Sequence, residues 1–294
     1  MHPPSQNASQ CWVCGGTHLV LAKRSNLGHA FISTDFLITD SRYGVTGDIL
    51  RCADCGFRQC SNQPDVLPFY ESMEDLAYEQ GRAQRFLQQQ KLVKLIAHRG
   101  DGKRLLDVGA GTGMLVERAI SVGYRAEGVE PSRWCQEQAA KRGLPVHLGG
   151  FPHPAAQGPY DAVTLIDVVE HVPAPIPLLS AIAKVLKPDG QLLIVTPDVG
   201  SFVAGLLGWR WWHYRVAHVG YFDRSTLRRA LQASGLEVIR SGRPGWYFSA
   251  DYLTERVMTY LPRGLRFAPP AWFKRVTIPL NLCDSMYVIC RPTA

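Results

Sequence analysis

The chain has 294 residues, of which 46% are hydrophobic and 19% charged, so its composition is that of a globular protein and excludes disordered and fibrous classes. Lysine and arginine exceed aspartate and glutamate by seven, an excess that permits an anionic partner without requiring one. No apolar run reaches the roughly 18 residues of a membrane-spanning helix, and the amino terminus has no apolar signal core. We therefore expect a soluble, cytoplasmic protein.

Cysteine spacing predicts a small metal-binding module at the amino terminus. Cys11 and Cys14 form one Cys-x-x-Cys pair, Cys52 and Cys55 form a second, and a glycine follows each pair. Such a glycine allows the tight turn in which backbone N–H groups point at the thiolates. Four thiolates are the ligand set of a tetrahedral structural Zn²⁺, which predicts a zinc-ribbon-like module over residues 1–66. A redox dithiol is the alternative, although neither pair begins a strand–helix unit. Three further cysteines are expected to be buried thiols: Cys135, Cys283 and Cys290.

The rest of the chain alternates between strand and helix patterns. A helix is predicted over residues 82–98. Beyond it, strands are predicted at 104–108, 125–129, 145–148, 160–166, 191–196, 236–241 and 285–291, and helices at 114–122, 131–142, 176–186 and 225–234. This alternation indicates an α/β fold with a parallel sheet covered on both faces. The forty or so residues before the last strand are too many for a bare loop and should contain helices.

A glycine-rich turn joins the first of these strands to its helix, where open α/β sheets bind ligands. It runs from Asp107 to Gly113, and Glu130 ends the next strand, where an acid can accept both hydroxyls of a ribose. A dinucleotide site would have glycine at position 114, which is Met114 here. A carboxylate at Asp107 would also repel a pyrophosphate, whereas it suits an ammonium or sulfonium group. These residues favour S-adenosylmethionine over NAD.

Four segments then resemble the class I S-adenosylmethionine-dependent methyltransferases: LLDVGAGTG at 105–113, GVEPS at 128–132, YDAVTLIDVVEHV at 160–172 and LKPDGQLLIVTPD at 186–198. The resemblance implies a Rossmann-like seven-stranded sheet with an antiparallel last strand, in a methyltransferase domain over residues 67–294. It also implies the residues that bind the cofactor: Asp107, Gly109, Ala110, Gly111, Gly113, Glu130, Pro131, Ser132 and Asp167. Many relatives carry an acid after the third strand, where this chain has Phe151, so the adenine contact differs.

Glu170 and His171 follow the fourth strand and are the sharpest catalytic candidates, together with His218. Methyl transfer needs an aligned acceptor and, for a hydroxyl, a base; a base contributes about 10²–10⁴-fold to the rate. His171 has the right ordinary pKa for that role. Two alternatives are that Glu170 and His171 orient the following loop, or that they bind a metal.

Two insertions are expected to lie on the acceptor side. Residues 201–222 are rich in aromatic residues and resemble an acceptor lid in relatives, with His213, Tyr214 or His218 as polar contacts; packing against the sheet explains them equally well. Residues 246–282 could form a second pocket wall, pack irregularly, or lean on a membrane that presents a lipid-linked substrate.

The sequence as a whole predicts a methyltransferase acting on a small molecule, a sugar or glycan, or a secondary metabolite, most simply at oxygen. The alternative is an RNA methyltransferase whose zinc ribbon binds nucleic acid. No dense basic run adjoins the cysteine pairs, and no Asn/Asp-Pro-Pro-Tyr/Phe box for a flipped base is present, so a nucleic-acid partner is not expected. A non-catalytic scaffold would not need intact cofactor motifs.

Overall fold

The computed structural model describes residues 9–61, 66–96, 101–173 and 175–293. Thirteen strands lie within these ranges: β1 Leu19–Lys23, β2 Ile49–Cys52, β3 Arg58–Cys60, β4 Arg104–Val108, β5 Arg125–Glu130, β6 Val146–Leu148, β7 Tyr160–Ile166, β8 Leu186–Pro197, β9 Gly220–Tyr221, β10 Leu236–Gly242, β11 Trp246–Ser249, β12 Thr277–Leu280 and β13 Ser285–Pro292. Each strand predicted from the sequence pattern is present.

The same ranges contain nine α-helices: α1 Leu67–Glu71, α2 Leu76–Gln80, α3 Arg82–Ile96, α4 Met114–Ser121, α5 Arg133–Ala140, α6 Pro175–Val185, α7 Phe202–Leu207, α8 Arg224–Ala233 and α9 Ala250–Tyr260. The helix predicted over 82–98 is therefore confirmed as far as residue 96, and its last two residues lie outside the described ranges. Side-chain caps fix several helix starts: Ser132, Ser201 and Asp223 each accept a hydrogen bond from a backbone N–H of the first turn. None of the described helices is long and apolar enough to cross a membrane.

A seven-stranded sheet forms the centre of the molecule, in the order β10-β13-β8-β7-β4-β5-β6. β13 is antiparallel to both of its neighbours, whereas β4 to β8 run parallel to one another. The central strands are buried because they are short apolar runs with helices on both faces. The predicted α/β fold with an antiparallel last strand is confirmed.

The amino-terminal segment builds a second sheet, in the order β1-β2-β3-β9. Its last strand, β9, belongs to the segment that was predicted to form the acceptor lid. Arg58 and Gln59 pair with Tyr221 and Gly220 across the β3–β9 ladder, and the rings of Phe57 and Phe222 lie 4.8 Å apart. The amino-terminal module is therefore joined to the lid by main-chain hydrogen bonds. A domain boundary near residue 66 remains a prediction. β9 comes from the other side of that boundary in the sequence, yet it completes the sheet of the amino-terminal module.

The insertion before the last strand contains α9, as predicted. It also contains a two-stranded antiparallel sheet of β11 and β12, which was not predicted. One cysteine expectation is wrong here. Cys283 is exposed and has a left-handed backbone (φ 55°), because it lies in the turn that leads into β13 rather than in a strand. Cys135 and Cys290 are buried as expected.

Candidate functional site

A single large cavity of about 2190 Å³ opens at the carboxyl ends of the central parallel strands. One end of the cavity is lined by Asp107, by the glycine-rich turn that follows it and by Glu130. Glu170, His171 and His218 line its middle. A parallel sheet brings these residues together because β4, β5 and β7 all end at the same edge. The cavity thus contains most of the residues that the motifs singled out.

The glycine-rich turn brings its backbone close to the cavity. Gly109 has a φ of +77°, and a Cβ at this position would lie 2.5 Å from Cγ2 of Val168, so only glycine fits. The N–H groups of Gly109 and Ala110 both donate to the carbonyl of Val129, at 2.9 and 3.0 Å. These bonds hold the turn against β5, so that the turn and the end of β5 form one continuous wall.

Two buried carboxylates flank this turn. Asp107 accepts a hydrogen bond from Thr164 Oγ1 at 2.6 Å. Glu130 accepts from the backbone N–H groups of Gly111 and Ser132, at 2.7 and 2.8 Å. Burial raises the pKa of both carboxyls to about 7, against the opposing effect of these hydrogen bonds. A cationic ligand beside them would restore their charged forms.

These residues fit S-adenosylmethionine. The buried Asp107 can pair with the ammonium group of the methionine portion. Each Glu130 oxygen has a remaining lone pair for a ribose hydroxyl. Gly109, Ala110, Gly111 and Pro131 line the same cavity wall, and so do Gly149, Gly150 and Phe151, where an adenine contact was left open.

Other predicted cofactor residues differ in position. Asp167 lines the cavity in a left-handed conformation (φ 52°), a strained backbone that is typical of ligand sites. Ser132 is fully buried, caps α5 and donates to the carbonyl of Met73, and it does not line the cavity. Gly113 is likewise set back from the cavity, where its φ of +79° starts α4. Ser132 and Gly113 support the wall rather than form its surface.

His171 lies in a single 3₁₀ turn after β7, and its Nδ1 lies 2.8 Å from the carbonyl of Ala217 and also beside the hydroxyl of Tyr70. A carbonyl only accepts hydrogen bonds, so Nδ1 carries the proton and Nε2 keeps its lone pair. Burial and the nearby charge of Arg215 lower the pKa of His171 to about 3. The imidazole is therefore neutral and has an unprotonated nitrogen. It is also a weaker base than the ordinary pKa of histidine led us to expect, so that part of the sequence argument is wrong.

Glu170 and His218 are more deeply buried beside it. Glu170 accepts from Thr196 Oγ1 at 2.9 Å through one oxygen, and its other oxygen has no hydrogen-bond partner among the described residues. Burial and the charge of Asp167 raise the Glu170 pKa well above its ordinary value. The ring of His218 meets the ring of His171 edge-on at 4.7 Å, and donor atoms of all three residues lie within 4.8 Å of one another. The structure thus brings the three predicted catalytic residues together.

Sequence reasoning missed a fourth polar group at this place. Asp284 directly precedes β13; its Oδ2 lies 3.4 Å from Nε2 of His213 and accepts from Nε1 of Trp211 at 3.3 Å. His213 in turn stacks on His218 at 5.7 Å. Asp284 follows an irregular insertion, so no motif singled it out; its position before the last strand of the sheet was the available signal.

The aromatic lid has a divided role. Trp212, His213, Arg215 and His218 line the cavity. The third expected contact, Tyr214, packs away from the cavity in a core shared with the amino-terminal module. Other aromatic residues of the lid are buried in the same way: Trp211, Tyr221 and Phe222. Part of the lid therefore lines the cavity, as an acceptor lid would, and part of it fills a core by packing.

The far end of the cavity is built by segments that sequence reasoning did not join. The amino-terminal module contributes Phe36, Ile38 and Tyr43, and the insertion contributes residues from β11 and α9. Arg58 of β3 donates to the hydroxyl of Tyr214 at 2.6 Å, which fixes the module to the lid. The module therefore forms part of the wall opposite the cofactor end.

The four cysteines of the amino terminus converge as the spacing predicted. Cys11 Sγ lies 3.5 Å from Cys55 Sγ, and Cys14 Sγ lies 3.5 Å from Cys52 Sγ, with all four sulfurs within 4.8 Å. Zinc–sulfur bonds of about 2.3 Å put the corners of a tetrahedron about 3.8 Å apart, which matches this spread. Gly15 and Gly56 take the left-handed turn conformation expected of two knuckles. The residues fit one tetrahedral metal ion.

Comparison with known proteins agrees with this site. Residues 79–241, more than half of the chain, match the family model described as a methyltransferase domain. The ubiquinone biosynthesis O-methyltransferase of Caulobacter sp. (strain K31) is 36% identical over 106 residues, which are 33% of this chain and 41% of that protein. Its counterpart from Haemophilus ducreyi is 33% identical over 107 residues, or 32% of this chain and 45% of that protein. The chain thus matches less than half the length of these curated relatives.

A solved structure supports the fold independently. One chain of the complex between the Trm112 methyltransferase activator of Haloferax volcanii and a methyltransferase aligns with a TM-score of 0.54 at 14% identity, covering 80% of this chain and 100% of that one. The sheet order, the glycine-rich turn with its two acids and the family match agree. The chain belongs to the class I S-adenosylmethionine-dependent methyltransferases.

Proposed function

We propose that the chain transfers a methyl group from S-adenosylmethionine to a hydroxyl oxygen of a small-molecule acceptor. The observation that carries the proposal is the position of His171: a neutral imidazole with an unprotonated Nε2, in the same cavity as the carboxylates of Asp107 and Glu130. When bound there, the cofactor supplies a sulfonium-activated methyl group.

The protein groups of this site would then divide the work. Asp107 and Glu130 hold the cofactor, and Nε2 of His171 accepts the proton of the acceptor hydroxyl. The Ala217 carbonyl and the Tyr70 hydroxyl keep the ring in place through Nδ1. Glu170, whose pKa burial raises well above its ordinary value, and His218 orient the acceptor beside it. An amine acceptor would need less help, because a neutral amine is nucleophilic without losing a proton.

The apolar lining of the acceptor end supports a small molecule. The cavity is walled by the amino-terminal module, the lid and α9, and mainly apolar and aromatic side chains line its far end. Proteins named as O-methyltransferases are among the relatives. No feature of the described residues favours the RNA alternative.

We further propose that the four cysteines hold one structural Zn²⁺. The ion would cross-link the two knuckles and keep β3 in place against β9. The same module contributes Phe36, Ile38 and Tyr43 to the cavity lining. Zinc would therefore stabilise the acceptor end of the cavity without contacting the cofactor end.

A label-transfer experiment tests the proposed acceptor class. The purified protein is incubated with S-adenosylmethionine labelled in its methyl group and an extract of the cells from which it comes. We expect the label in a low-molecular-weight fraction that resists ribonuclease and protease, on an oxygen atom identified by mass spectrometry. Label that pellets with RNA and is released by ribonuclease would instead establish the nucleic-acid alternative.

A further inference from the structure

Two arginines at the acceptor end of the cavity form no ion pair with a carboxylate of the described residues. Arg215 comes from the lid and Arg256 from α9, and both line the cavity. Neither has a carboxylate within ion-pair distance in the described part of the chain. Among the other acids that line the cavity, Asp40 pairs with Arg42 at 2.9 Å and Asp284 lies 3.4 Å from His213. Asp167 and Glu170 interact with Arg215 only from beyond ion-pair distance, and burial raises the pKa of both carboxyls.

The two guanidinium groups are held close together by one loop of the amino-terminal module. Arg215 donates to the carbonyls of Leu37 and Ile38, and Arg256 donates to the carbonyl of Thr39 at 2.6 Å. Consecutive residues thus fix the two cations at the junction of module, lid and α9. These carbonyls position the guanidinium groups but leave their charges uncompensated.

Each guanidinium also retains unused hydrogen-bond donors. An arginine carries five N–H groups, of which Arg215 uses two and Arg256 one in the hydrogen bonds to these carbonyls, so terminal N–H groups remain on both. The Nε atoms of both arginines are buried and have no partner among the described residues. Arg256 lies over the ring of Tyr252 at 4.5 Å and near the ring of Tyr43 at 5.6 Å, contacts that hold the planar group without neutralising it. Arginine cannot lose its proton in proteins, so both charges persist in a mainly apolar cavity.

The room around these cations exceeds the needs of the cofactor. Pockets for drug-sized ligands have volumes of about 300–1,000 Å³, and this cavity is about 2190 Å³. Apolar and aromatic side chains of the insertion continue the wall beyond the arginines: Phe248, Leu253, Val257, Leu261, Leu280 and Leu282. A ligand that fills this end would combine an extended apolar portion with a negative group.

We propose that the acceptor carries an anionic group, a carboxylate or a phosphate, which Arg215 and Arg256 bind where the amino-terminal module, the lid and α9 meet. The apolar portion of the acceptor lies along the insertion. Both anions match the planar fork of a guanidinium. This inference rests on the proposed function, because it describes the acceptor of that same site.

Binding of simple amphiphiles tests the inference without knowledge of the acceptor. The zinc-containing protein is saturated with S-adenosylhomocysteine and titrated in a calorimeter with decyl phosphate, decanoate or decan-1-ol, each below its micelle concentration. We expect at least one anion to bind about tenfold or more tightly than the alcohol in 50 mM NaCl, since a hydrogen bond to a charged group contributes roughly that much. The advantage should shrink in 0.5 M NaCl. Equal affinity for the alcohol and both anions overturns the proposal with the wild-type protein alone.

Variants locate the anion site. Arg256→Gln and Arg215→Gln should each reduce the preference for the anion about tenfold, and Arg256→Lys should retain part of it. Arg229→Gln, on the exposed face of α8, is the matched control for net charge. Arg85→Gln removes a cation that lies over Tyr78, near the glycine-rich turn. If Arg85→Gln loses the preference for the anion equally, the preference comes from the overall positive potential of the cavity. That result would contradict a local anion site at Arg215 and Arg256.

The remaining outcomes separate this inference from the proposed function. A larger advantage for decyl phosphate identifies a phosphate-bearing acceptor, and one for decanoate identifies a carboxylic acid. Failure of the protein to take up S-adenosylhomocysteine would overturn the proposed function. Uptake of S-adenosylhomocysteine without any preference for an anion would overturn only this inference.

Discussion

The two ends of the cavity are built in different ways. The cofactor end is made by consecutive strand–turn units, in which each strand of the parallel sheet delivers one or two side chains to the same edge. The acceptor end is assembled from three segments far apart in the chain: the amino-terminal module, the lid and the insertion. One end therefore depends on local geometry repeated along the sheet, and the other depends on long-range packing.

This contrast predicts that changes at the two ends will have separable effects. Changes at the acceptor end should alter the rate and the acceptor affinity while leaving cofactor affinity intact. Changes at the carboxylates should alter cofactor affinity first. The following experiments compare the two ends, from the largest expected effect to the smallest.

Removal of the proposed base should have the largest effect on rate. We expect His171→Gln to lower kcat by about 10²-fold, the lower end of the usual contribution of a general base, because its lowered pKa makes His171 a weak base. The affinity for S-adenosylhomocysteine should change by less than about threefold, since Nδ1 of His171 is bonded on the acceptor side. His153→Gln, at a half-buried position after β6 that does not line the cavity, is the control. A His171→Gln enzyme with full kcat would show that the histidine only orients its loop.

Loss of the metal should weaken the acceptor end next. We expect wild-type protein to contain about one equivalent of zinc by atomic emission and Cys14→Ser to contain almost none. Since β3 pairs with the lid strand β9, kcat/KM for the acceptor should fall by roughly tenfold or more, with a smaller change in cofactor affinity. Cys283→Ser alters an exposed cysteine outside the cluster and should retain zinc and activity.

A redox dithiol, the alternative role for these cysteines, would give a different result in that experiment. Wild-type protein would then contain less than about half an equivalent of zinc, and a reductant would change its thiol count. This outcome would remove zinc from the account while leaving the cofactor end as described.

The acidity of the two carboxyls predicts a pH dependence at the cofactor end. Because the pKa values of Asp107 and Glu130 are raised to about 7, both groups take up protons as the pH falls from 8 to 6. Affinity for S-adenosylhomocysteine should therefore decrease severalfold over that interval by calorimetry, as a property of the interacting pair.

Stability of the cofactor-free protein should move in the opposite direction. The folded state binds protons on these two carboxyls more tightly than the unfolded state does, so their contribution to the free energy of unfolding increases as the pH falls from about 7 toward 4.5. Denaturant titrations at several pH values measure this directly. If the cofactor affinity is constant between pH 8 and 6, both carboxyls stay charged over that interval. Their pKa values would then lie below 6, which contradicts the prediction.

The smallest effect is expected on the outer surface of the insertion. Phe267 and Trp272 are more than half exposed, and Arg266, Lys274 and Arg275 lie beside them in the chain. To test the alternative that this insertion leans on a membrane, we predict two- to threefold weaker sedimentation of Trp272→Ser with anionic phosphatidylglycerol vesicles. Val20→Ser removes an exposed apolar side chain from β1 and serves as the control. If wild-type protein does not sediment with the vesicles, this surface has no lipid role.

The sequence predicted where the residues of the cofactor end lie because their positions are set locally. The turn from Asp107 to Gly113 and the acid at Glu130 are set by the change from strand to helix periodicity, so their order along the chain gives their positions in the sheet. Cys11, Cys14, Cys52 and Cys55 were likewise readable from spacing, since each pair closes its own tight turn.

The acceptor end was harder to predict because its contacts are non-local. Nothing near Arg58 indicates that β3 will pair with a strand 160 residues later, and nothing near Thr39 indicates that Arg256 will donate to its carbonyl. Hydrophobic periodicity also does not distinguish a lid aromatic that lines a cavity, such as Trp212, from one that fills a core, such as Trp211. Asp284 and the two-stranded sheet of β11 and β12 were missed for the same reason.

Titration of the wild-type protein with S-adenosylhomocysteine tests the central claim most directly, namely that the carboxylate-flanked turn is a nucleoside site. The account predicts saturable heat with one site per chain, and at least a tenfold loss of affinity in Asp107→Asn and in Glu130→Gln. Asp189→Asn, an exposed position at the start of β8, should bind as the wild type does. Absence of any binding by correctly folded wild-type protein, or unchanged affinity in both cavity variants, would contradict it.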